Sequence, residues 1–433
     1  MTKDILNRGR TVTAAGTGIN LALGVLYTWS IFKEAISRSV KEGGPGAFNW
    51  DPASLNDPYA VCCLVFSCAM IIAGKCQDMW GPRLTAVTGG LLAGLGFIWI
   101  SQTTEYSGWI FGFGLLVGSG IAFGYAAATP PALKWYPPAK TGRMAGIVVA
   151  GFGLAAVYAA PLAQYLLYKW GMQGAMLFFG LAFFVVVGLL SMFLVNPPEG
   201  YVPEGFVDRR LNTESNMKTR ELFASVDLSP YEVLKTPSFR MLWILYFIGA
   251  GAGLMVIGSL AGMARSSLGG NAFLAVAILA IGNAGGRVTA GIVSDKIGRP
   301  RTLAAVFSFQ ALLLFAAVLL LRAETASPVL LVLLSTLIGF NYGANLSLFP
   351  SFAKDFWGTR NFGVNYGILF TAWGAGGFVM SRVSQALIAS TNTFTAALVT
   401  AGLLLAAGTV LTFFVKDRQG AARREIAKRL AAV

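Results

Sequence analysis

The stretch Gly74-Lys-Cys-Gln-Asp78-Met-Trp-Gly81-Pro-Arg83 decides the fold, because it returns 217 residues later as Gly291-Ile-Val-Ser-Asp295-Lys-Ile-Gly298-Arg299. In both copies Gly, Asp and Gly keep the same spacing, a basic residue follows, and a long apolar run comes before. A helix-to-loop signature repeated within one chain indicates two homologous halves. Two such halves facing a shared cavity are typical of secondary transporters.

The composition places this chain in a membrane. Only 12% of the 433 residues are charged, and the mean hydropathy is +0.65. A soluble protein of this size cannot cover its surface with so few charges. The 52 glycines suit close packing of helices in lipid. The first ten residues are polar and no small-residue cleavage site follows the first apolar run, so we expect no removable signal peptide.

The apolar runs, each near the roughly 20 residues that cross a bilayer, form two sets of six on either side of a polar stretch. They fall at about 11–33, 57–76, 84–103, 108–135, 144–168, 173–195, 239–263, 271–293, 302–321, 328–352, 364–388 and 394–415. This pattern predicts an all-α membrane protein with twelve transmembrane helices in two pseudo-symmetric six-helix halves. The predicted divisions are a first bundle at 1–195, a cytoplasmic linker with one short surface helix at 196–238, a second bundle at 239–416 and a basic cytoplasmic tail at 417–433.

The basic residues fix an orientation for these spans. If both termini are cytoplasmic, 25 of the 33 Lys and Arg residues lie in segments on the cytoplasmic side. An excess of Lys and Arg in cytoplasmic loops is the usual pattern of membrane proteins. It accounts for the net charge of +14 without a nucleic-acid partner. We expect a monomer in the inner (cytoplasmic) membrane, with the lipid bilayer as its surroundings.

The residue types argue against an integral-membrane enzyme. The chain has no histidine, which excludes histidine metal sites and Ser-His catalysis, and no paired carboxylates fall within the apolar runs. The four cysteines are in or at the end of a single run, where packed helix residues are expected rather than disulfides or metal ligands. They are Cys62, Cys63, Cys68 and Cys76. We therefore predict no enzyme activity, no cofactor and no metal.

The repeated loops predict a gate. Asp78 and Asp295 each stand where a helix leaves the membrane, close to the basic residues Arg83 and Arg299. An acid beside a basic cluster at a helix end can lock neighbouring helices in one conformation and release them in another. A single loop would suit a static positive-inside segment equally well. Two loops at matching places favour the gate.

Arg287 lies inside an apolar run, eight residues before Asp295, so it sits roughly 12 Å above the end of its helix at 1.5 Å per residue. A charge at that depth costs at least about 2.5–3.5 kcal/mol. The equivalent residue of the first half is Met70, so the repeated scaffold does not require an arginine. All 19 Asp and Glu residues fall outside the middle of the spans, which leaves a bound anion as the natural partner of this guanidinium. A structural arginine satisfied by carbonyl groups is the alternative.

Aromatic residues at comparable depths suggest a cage around this charge. They are Tyr27, Tyr125, Phe152, Tyr342, Phe370 and Trp373, in the predicted spans 1, 4, 5, 10 and 11. Each alone is more often a packing residue than a ligand. Together with Arg287 they predict a site where phenol hydroxyls donate and rings cover a small organic tail.

Two levels of resemblance follow from these stretches. The repeated loops resemble the A-motif of the major facilitator superfamily, and the resemblance covers all twelve runs and the linker. Four further stretches resemble the oxalate:formate antiporter family and the related monocarboxylate transporters: Leu23–Ser30, Lys134–Pro137, Gly286–Arg299, and Leu348–Ser351 with Asn365–Gly367. The resemblance implies that Arg287 is the substrate-binding arginine of helix eight and that Tyr27 and Tyr125 are cage tyrosines.

The chain also departs from that family. Trp373 stands where the oxalate carrier has a lysine in helix eleven, and Phe152, Tyr342 and Leu346 replace a tyrosine, a tryptophan and a further tyrosine of the cage. One cation instead of two suits a monoanion. The predicted function is therefore alternating-access transport of small monocarboxylates such as lactate, pyruvate or formate, with anion exchange favoured. The alternatives are proton-coupled monocarboxylate symport, oxalate/formate-type dicarboxylate exchange, and a transporter-like membrane receptor or sensor.

Overall fold

A computed structural model describes residues 8–44, 46–198, 201, 227–268, 272–322 and 327–415. For residues 138, 256–268, 272–276, 321, 322 and 328 only the backbone is described. Every regular element in these ranges is helical. Most of the predicted linker and the whole predicted tail, 417–433, lie outside the described residues.

The first half consists of six helices. They are α1 (Gly9–Glu42), α2 (Asp57–Trp80), α3 (Pro82–Ile100), α4 (Tyr106–Lys134), and α5 and α6 (141–170 and 172–191), which together form the continuous stretch Thr141–Ser191. The last two separate at Gly171, whose φ of +66° a residue with a side chain rarely adopts. In α1 the backbone tightens to a 3₁₀ turn at Gly24–Thr28, where Gly24 packs against α5.

The second half repeats the arrangement. Its helices are α7 (Pro237–Leu268), α8 (Ala272–Ile297), α9 (Arg299–Arg322), α10 (Pro328–Trp357), α11 (Phe362–Thr391) and α12 (Thr395–Thr412). In the part of the chain that the structure describes, ten helical stretches are long and apolar enough to cross a membrane. One of them contains both α5 and α6, and α11 is long enough but less apolar. The protein is an integral membrane protein, and its described residues form twelve long helices.

Helix pairing shows the internal symmetry. In the first half α1 packs on α5 and α3 on α6, and in the second half α7 packs on α11 and α9 on α12. The two most extensive contacts between the halves are those of α2 with α11 and of α8 with α5. Both occur where glycines let the backbones touch, because a Cβ at Gly74 would lie 2.2 Å from the Gly363 oxygen and one at Gly291 would lie 2.2 Å from the Gly142 oxygen.

The two repeated loops lie at one end of the bundle, which we call the signature end. Gly81 and Gly298 make the turns there with φ of +83° and +92°, and α3 and α9 begin at the next residue. The described end of the linker returns to this end as well. A short surface helix, Pro230–Lys235, begins with a capping box in which Ser229 and Glu232 satisfy each other's backbone amides.

The cysteines differ in part from the prediction. All four are free, and Cys62 and Cys76 are buried, as expected of packed helix residues. Cys68 is exposed on the helix surface and Cys63 is partly exposed. The difference follows from the pitch of α2, because positions six residues apart lie on different faces of a helix.

Candidate functional site

The centre of the site is Arg287, in the middle of α8. Its side chain is fully buried, with 0% of its surface exposed. Glycines fix its backbone between two helices: a Cβ at Gly286 would lie 1.8 Å from the Phe340 oxygen of α10, and one at Gly146 of α5 would lie 2.4 Å from the Arg287 oxygen. The arginine is therefore held on rigid backbone at the contact between the two halves.

Three neutral groups bind the guanidinium. Nε donates to Asn283 Oδ1 at 2.9 Å, Nη1 donates to the Val149 carbonyl, and Nη2 donates to the Tyr27 hydroxyl at 3.3 Å. Asn283 is one turn earlier on α8, whereas Val149 and Tyr27 belong to the first half. Gly153 leaves room for this arrangement, because a Cβ there would lie 2.9 Å from Asn283 Oδ1 and 3.2 Å from Arg287 Nε.

The charge of Arg287 has no carboxylate partner among the described residues. A guanidinium carries five N–H donors, and the three hydrogen bonds occupy three of them. Neutral dipoles satisfy donors but do not neutralise a charge, and an uncompensated cation in a low-dielectric interior is costly. A carboxylate fits this position because it supplies both the missing charge and two acceptors in fork geometry.

Most of the predicted aromatic residues form one connected set of rings, which reaches Arg287 through Tyr27. The Tyr27 ring lies 5.4 Å from that of Phe152, Phe152 lies 5.7 Å from Tyr125, and Tyr125 lies 5.5 Å from Phe370. Phe370 stacks on Trp373 at 5.2 Å. We call this set the cage: Tyr27, Tyr125, Phe152, Phe370 and Trp373. It draws on α1, α4, α5 and α11 and therefore spans both halves.

Two further predicted residues, Tyr342 and Leu346, belong to α10, and Tyr342 contacts the cage. Trp373 Nε1 donates to the Tyr342 hydroxyl at 2.8 Å, so the indole is held by a neutral partner. Leu346 is one turn further along α10 and is buried. Trp373 and Tyr342 thus form a neutral aromatic pair.

At the signature end Asp295 joins α8 to the start of α5. Its two carboxylate oxygens accept hydrogen bonds from the backbone amides of Gly142 and Arg143, both at 2.8 Å. Arg299 binds the same carboxylate at 2.7 Å and also binds Asp355 of α10 at 3.0 Å. An anion at a helix N-terminus satisfies unpaired amides and the helix dipole together. This aspartate therefore fastens one half to the other.

Asp78 makes the equivalent contact without an arginine. It accepts from the amides of Gly363 and Val364, at the start of α11, at 3.1 and 2.9 Å. Arg83, predicted to pair with it, instead donates from Nε to the Leu194 carbonyl at 2.9 Å. Arg83 lies at the start of α3 and so reaches the loop after α6 rather than α2. The basic group that acts electrostatically on Asp78 is Lys134, at the end of α4.

The sequence missed several participants. Asn283 is four residues before Arg287, and helix periodicity alone places the two on one face. Phe66 of α2 packs on Phe370 and Trp373, with centroids 5.0 and 5.4 Å apart. At the signature end the buried Lys354 donates from Nζ to the carbonyls of Leu133 and Tyr136 and to the Thr141 hydroxyl. These neutral, aromatic and loop contacts carry no sequence signal comparable to a charge in an apolar run. Lys354 is the exception, since it follows the motif Leu348–Ser351.

Comparison with protein families supplies a match over most of the chain. The model of the Major Facilitator Superfamily matches residues 11–381 and 274–432. Two solved structures share the fold, and the fucose:proton symporter among them is from Escherichia coli. A proton:xylose symporter, with a TM-score of 0.67 and 15% identity, covers 96% of this chain and 98% of its own. A fucose:proton symporter, with a TM-score of 0.62 and 14% identity, covers 93% and 98%.

Among curated relatives, the oxalate:formate antiporter of Oxalobacter formigenes is 25% identical over 90% of this chain and 88% of its own length. The uncharacterized MFS-type transporter YhjX of Escherichia coli is 27% identical over 87% and 88%. Monocarboxylate transporter 13 of Rattus norvegicus is 27% identical over 76% and 72%. All three are named as transporters.

Proposed function

The chain belongs to the major facilitator superfamily and is a membrane transporter, and we propose that it carries small monocarboxylates of the lactate, pyruvate or formate type. Arg287 binds the carboxylate and the cage covers the organic tail. The main observation in support is that the guanidinium of Arg287 is fully buried, has three neutral partners and has no carboxylate partner among the described residues. The names of an oxalate:formate antiporter and of monocarboxylate transporters among the relatives support a carboxylate as cargo.

A monoanion fits better than a dianion. Within the described residues Arg287 is the one cation hydrogen-bonded to the cage, through Tyr27, and Trp373 of the cage is hydrogen-bonded to the neutral Tyr342. A second carboxylate in this layer would be buried without a cationic partner, which is strongly unfavourable. Oxalate should therefore be a poor substrate.

Alternating access follows from the symmetric contacts at the signature end. The Asp78 and Asp295 contacts close this end when α11 and α5 dock, and their release opens it. The predicted orientation places the signature end in the cytoplasm, together with both termini and the 196–238 linker, in an inner membrane. The excess of basic residues on that side supports this orientation.

Exchange of anions is favoured over net transport. The binding site closes at the contact between α8 and α5, where Arg287 loses water. A bound monoanion neutralises the cation and lowers the desolvation cost of closure. The loaded carrier should therefore reorient faster than the free one. A proton transported together with the acid is the alternative way to complete the cycle. Proton-coupled symport would then replace anion exchange.

The test is uptake of labelled lactate, pyruvate, formate and oxalate into proteoliposomes, with and without a preloaded monocarboxylate. We expect uptake of monocarboxylates, stimulated by the preload, and little oxalate uptake. Arg287→Lys should transport poorly because an ammonium cannot bind both oxygens in fork geometry. Rapid accumulation under a proton gradient without preload would establish symport, and binding without flux would indicate a receptor. Wild-type rates in Arg287→Lys would contradict the role of the guanidinium.

A further inference from the structure

A buried lysine near the end of α10, Lys354, takes all its hydrogen-bond partners from the other half of the protein. Its side chain is 8% exposed. Nζ donates to the carbonyls of Leu133 and Tyr136, at 2.7 and 3.1 Å, and to the Thr141 hydroxyl at 3.1 Å. An ammonium has three N–H donors, so these bonds use every one of them. The lysine belongs to the second half and the three acceptors belong to the first.

The sequence at the end of α4 makes these carbonyls available. Pro137 has no N–H, so the Leu133 carbonyl lacks the donor four residues later that a helix normally supplies. It receives instead a longer bond of 3.3 Å from the Tyr136 amide. The Lys140 amide, four residues after Tyr136, donates to the Pro137 carbonyl at 2.9 Å. The last carbonyls of a helix carry partial negative charge, which favours a cation at this place.

The contact of Lys354 meets that of Asp295 at the start of α5. The Thr141 hydroxyl accepts from Lys354, and the next two amides, those of Gly142 and Arg143, donate to Asp295. Thr141 is fully buried at this point. Two helices of the second half, α10 and α8, therefore hold one turn of the first half, one of them with a cation and the other with an anion.

Close packing makes α10 and α8 a single body. A Cβ at Gly343 of α10 would lie 1.9 Å from the Asn283 oxygen of α8, and one at Gly286 of α8 would lie 1.8 Å from the Phe340 oxygen of α10. Backbones in such contact cannot slide past each other. If the halves separate at the signature end, Lys354 moves with α8 and loses all three partners at once.

We propose that Lys354 is a positioning residue for transport, which stabilises the closed signature end by holding α10 against the end of α4 and the start of α5. This inference rests on the alternating access of the proposed function and deepens it. In the closed state the ammonium binds three fixed acceptors, one of them at the negative end of a helix. In the open state water takes their place. Hydrogen bonds to a charged group contribute more than neutral ones, so the balance favours closure.

The test measures opening of the signature end in the purified full chain. Spin labels at Lys140 and Arg360, which are exposed just before α5 and α11, report the distance between the two loops. Lys354→Met keeps the apolar stem and removes the three donors, so the ratio of open to closed protein should rise by roughly 10- to 150-fold. Lys354→Arg should restore much of the closure, because a guanidinium also binds carbonyls at a helix end.

Two further variants identify the partner through which the lysine acts. Thr141→Val keeps the shape and removes one acceptor, so it should open the signature end by about 2- to 10-fold. In a protein that already carries Lys354→Met, the same change should add no further opening, because the two groups form one interaction. Lys296→Met is the matched control, since it removes an exposed lysine at the same end and should leave the ratio unchanged.

The outcomes separate this inference from the proposed function. An unchanged ratio in Lys354→Met would overturn the role of the lysine and leave transport by alternating access intact. Additive opening by Lys354→Met and Thr141→Val would also overturn it, because a general loss of packing has that effect. If thermal melting shows that Lys354→Met does not fold, Thr141→Val alone decides. If wild type shows one distance with and without lactate, pyruvate or formate, alternating access fails and this inference with it.

Discussion

The α2–α11 contact and the α8–α5 contact are two versions of one structure. In each, an aspartate at the end of one helix accepts from two amides at the start of the other. In each, the backbone carbonyl eight residues before the aspartate packs against a glycine of the partner helix. The Met70 oxygen lies 2.4 Å from where a Cβ on Gly367 would be, and the Arg287 oxygen lies 2.4 Å from where a Cβ on Gly146 would be. The shared parts are those that bring two backbones together and fasten their ends.

The differences between the contacts are all charges. The α8–α5 contact has Arg287 where the other has Met70, and its aspartate is bound by Arg299, which also reaches Asp355. The α2–α11 contact has a methionine and an aspartate held by backbone amides alone within hydrogen-bond distance. Symmetric backbone with asymmetric charge fits the proposed function, in which the closing movement belongs to the shared scaffold and only the second half binds the anion.

The largest expected effect is the contrast between alanine substitutions at Arg287 and at Met70. Arg287→Ala should weaken monocarboxylate binding by about 2–5 kcal/mol, roughly 30- to 4,000-fold, because the anion loses its only cation. The protein should remain folded, since the change removes an uncompensated buried charge. Met70→Ala should do the opposite and cost about 2–5 kcal/mol of stability through a cavity while binding is kept. Calorimetric binding and thermal melting of both variants measure the contrast.

The same contrast would disappear if Arg287 were a structural residue satisfied by carbonyls. In that case Arg287→Ala would lower the melting temperature as Met70→Ala does, because Asn283 and the Val149 carbonyl would lose their donor. Binding would then change only in proportion to the loss of folded protein.

The sequence predicted the number of helices well and their ends less well. The predicted run 328–352 is observed as α10, Pro328–Trp357. The helix continues past the apolar run, and its extension carries polar residues at the signature end. Lys354 and Asp355 are in that extension. A rule based on hydrophobic length cannot see it, because these residues are polar and bind groups of other helices.

The site was predictable where it broke a pattern. Arg287 was visible as a charge in an apolar run, and the rings of the cage were visible by depth. The Val149 carbonyl had no sequence signal, because a backbone acceptor becomes available only where Gly146 and Gly153 let α8 approach α5. The spacing identified Asp78 and Asp295 and assigned Arg83 and Arg299 as their partners. Arg299 does pair with Asp295, whereas Arg83 binds the Leu194 carbonyl. The backbone amides that both aspartates accept from had no sequence signal, for the same reason. The gate itself remains a prediction.

A symmetric effect is expected from the glycines at the two crossings. Gly74→Ala and Gly291→Ala each place a Cβ 2.2 Å from a backbone oxygen of the partner helix, so neither can be relieved by a rotamer change. Overpacking of this kind costs about 1–3 kcal/mol, and should favour the open signature end by roughly 5- to 150-fold.

Spin-label distances between Met79 and Arg360, which are exposed on α2 and beside α11, report the opening. Gly188→Ala is the control, because nothing lies within 4 Å of its Cβ. Opening by one glycine variant but not the other would contradict the equivalence of the α2–α11 and α8–α5 contacts.

The smallest effect should come from the aspartates, and here the two contacts should differ. Asp78→Asn keeps one acceptor but turns an NH₂ toward the second amide, so α11 loses part of its cap, worth about 0.5–2 kcal/mol. Asp295→Asn should cost about 1 kcal/mol more, because the ion pair with Arg299 becomes a neutral hydrogen bond while Arg299 keeps Asp355. The same spin-label pair should therefore show a larger open fraction for Asp295→Asn than for Asp78→Asn. High salt should reduce the gap only slightly, because the Asp295 and Arg299 side chains are 9% and 7% exposed and little screened. Equal opening by both variants would mean that Arg299 acts through Asp355 alone. The charge of Asp295 would then add nothing to the α8–α5 contact.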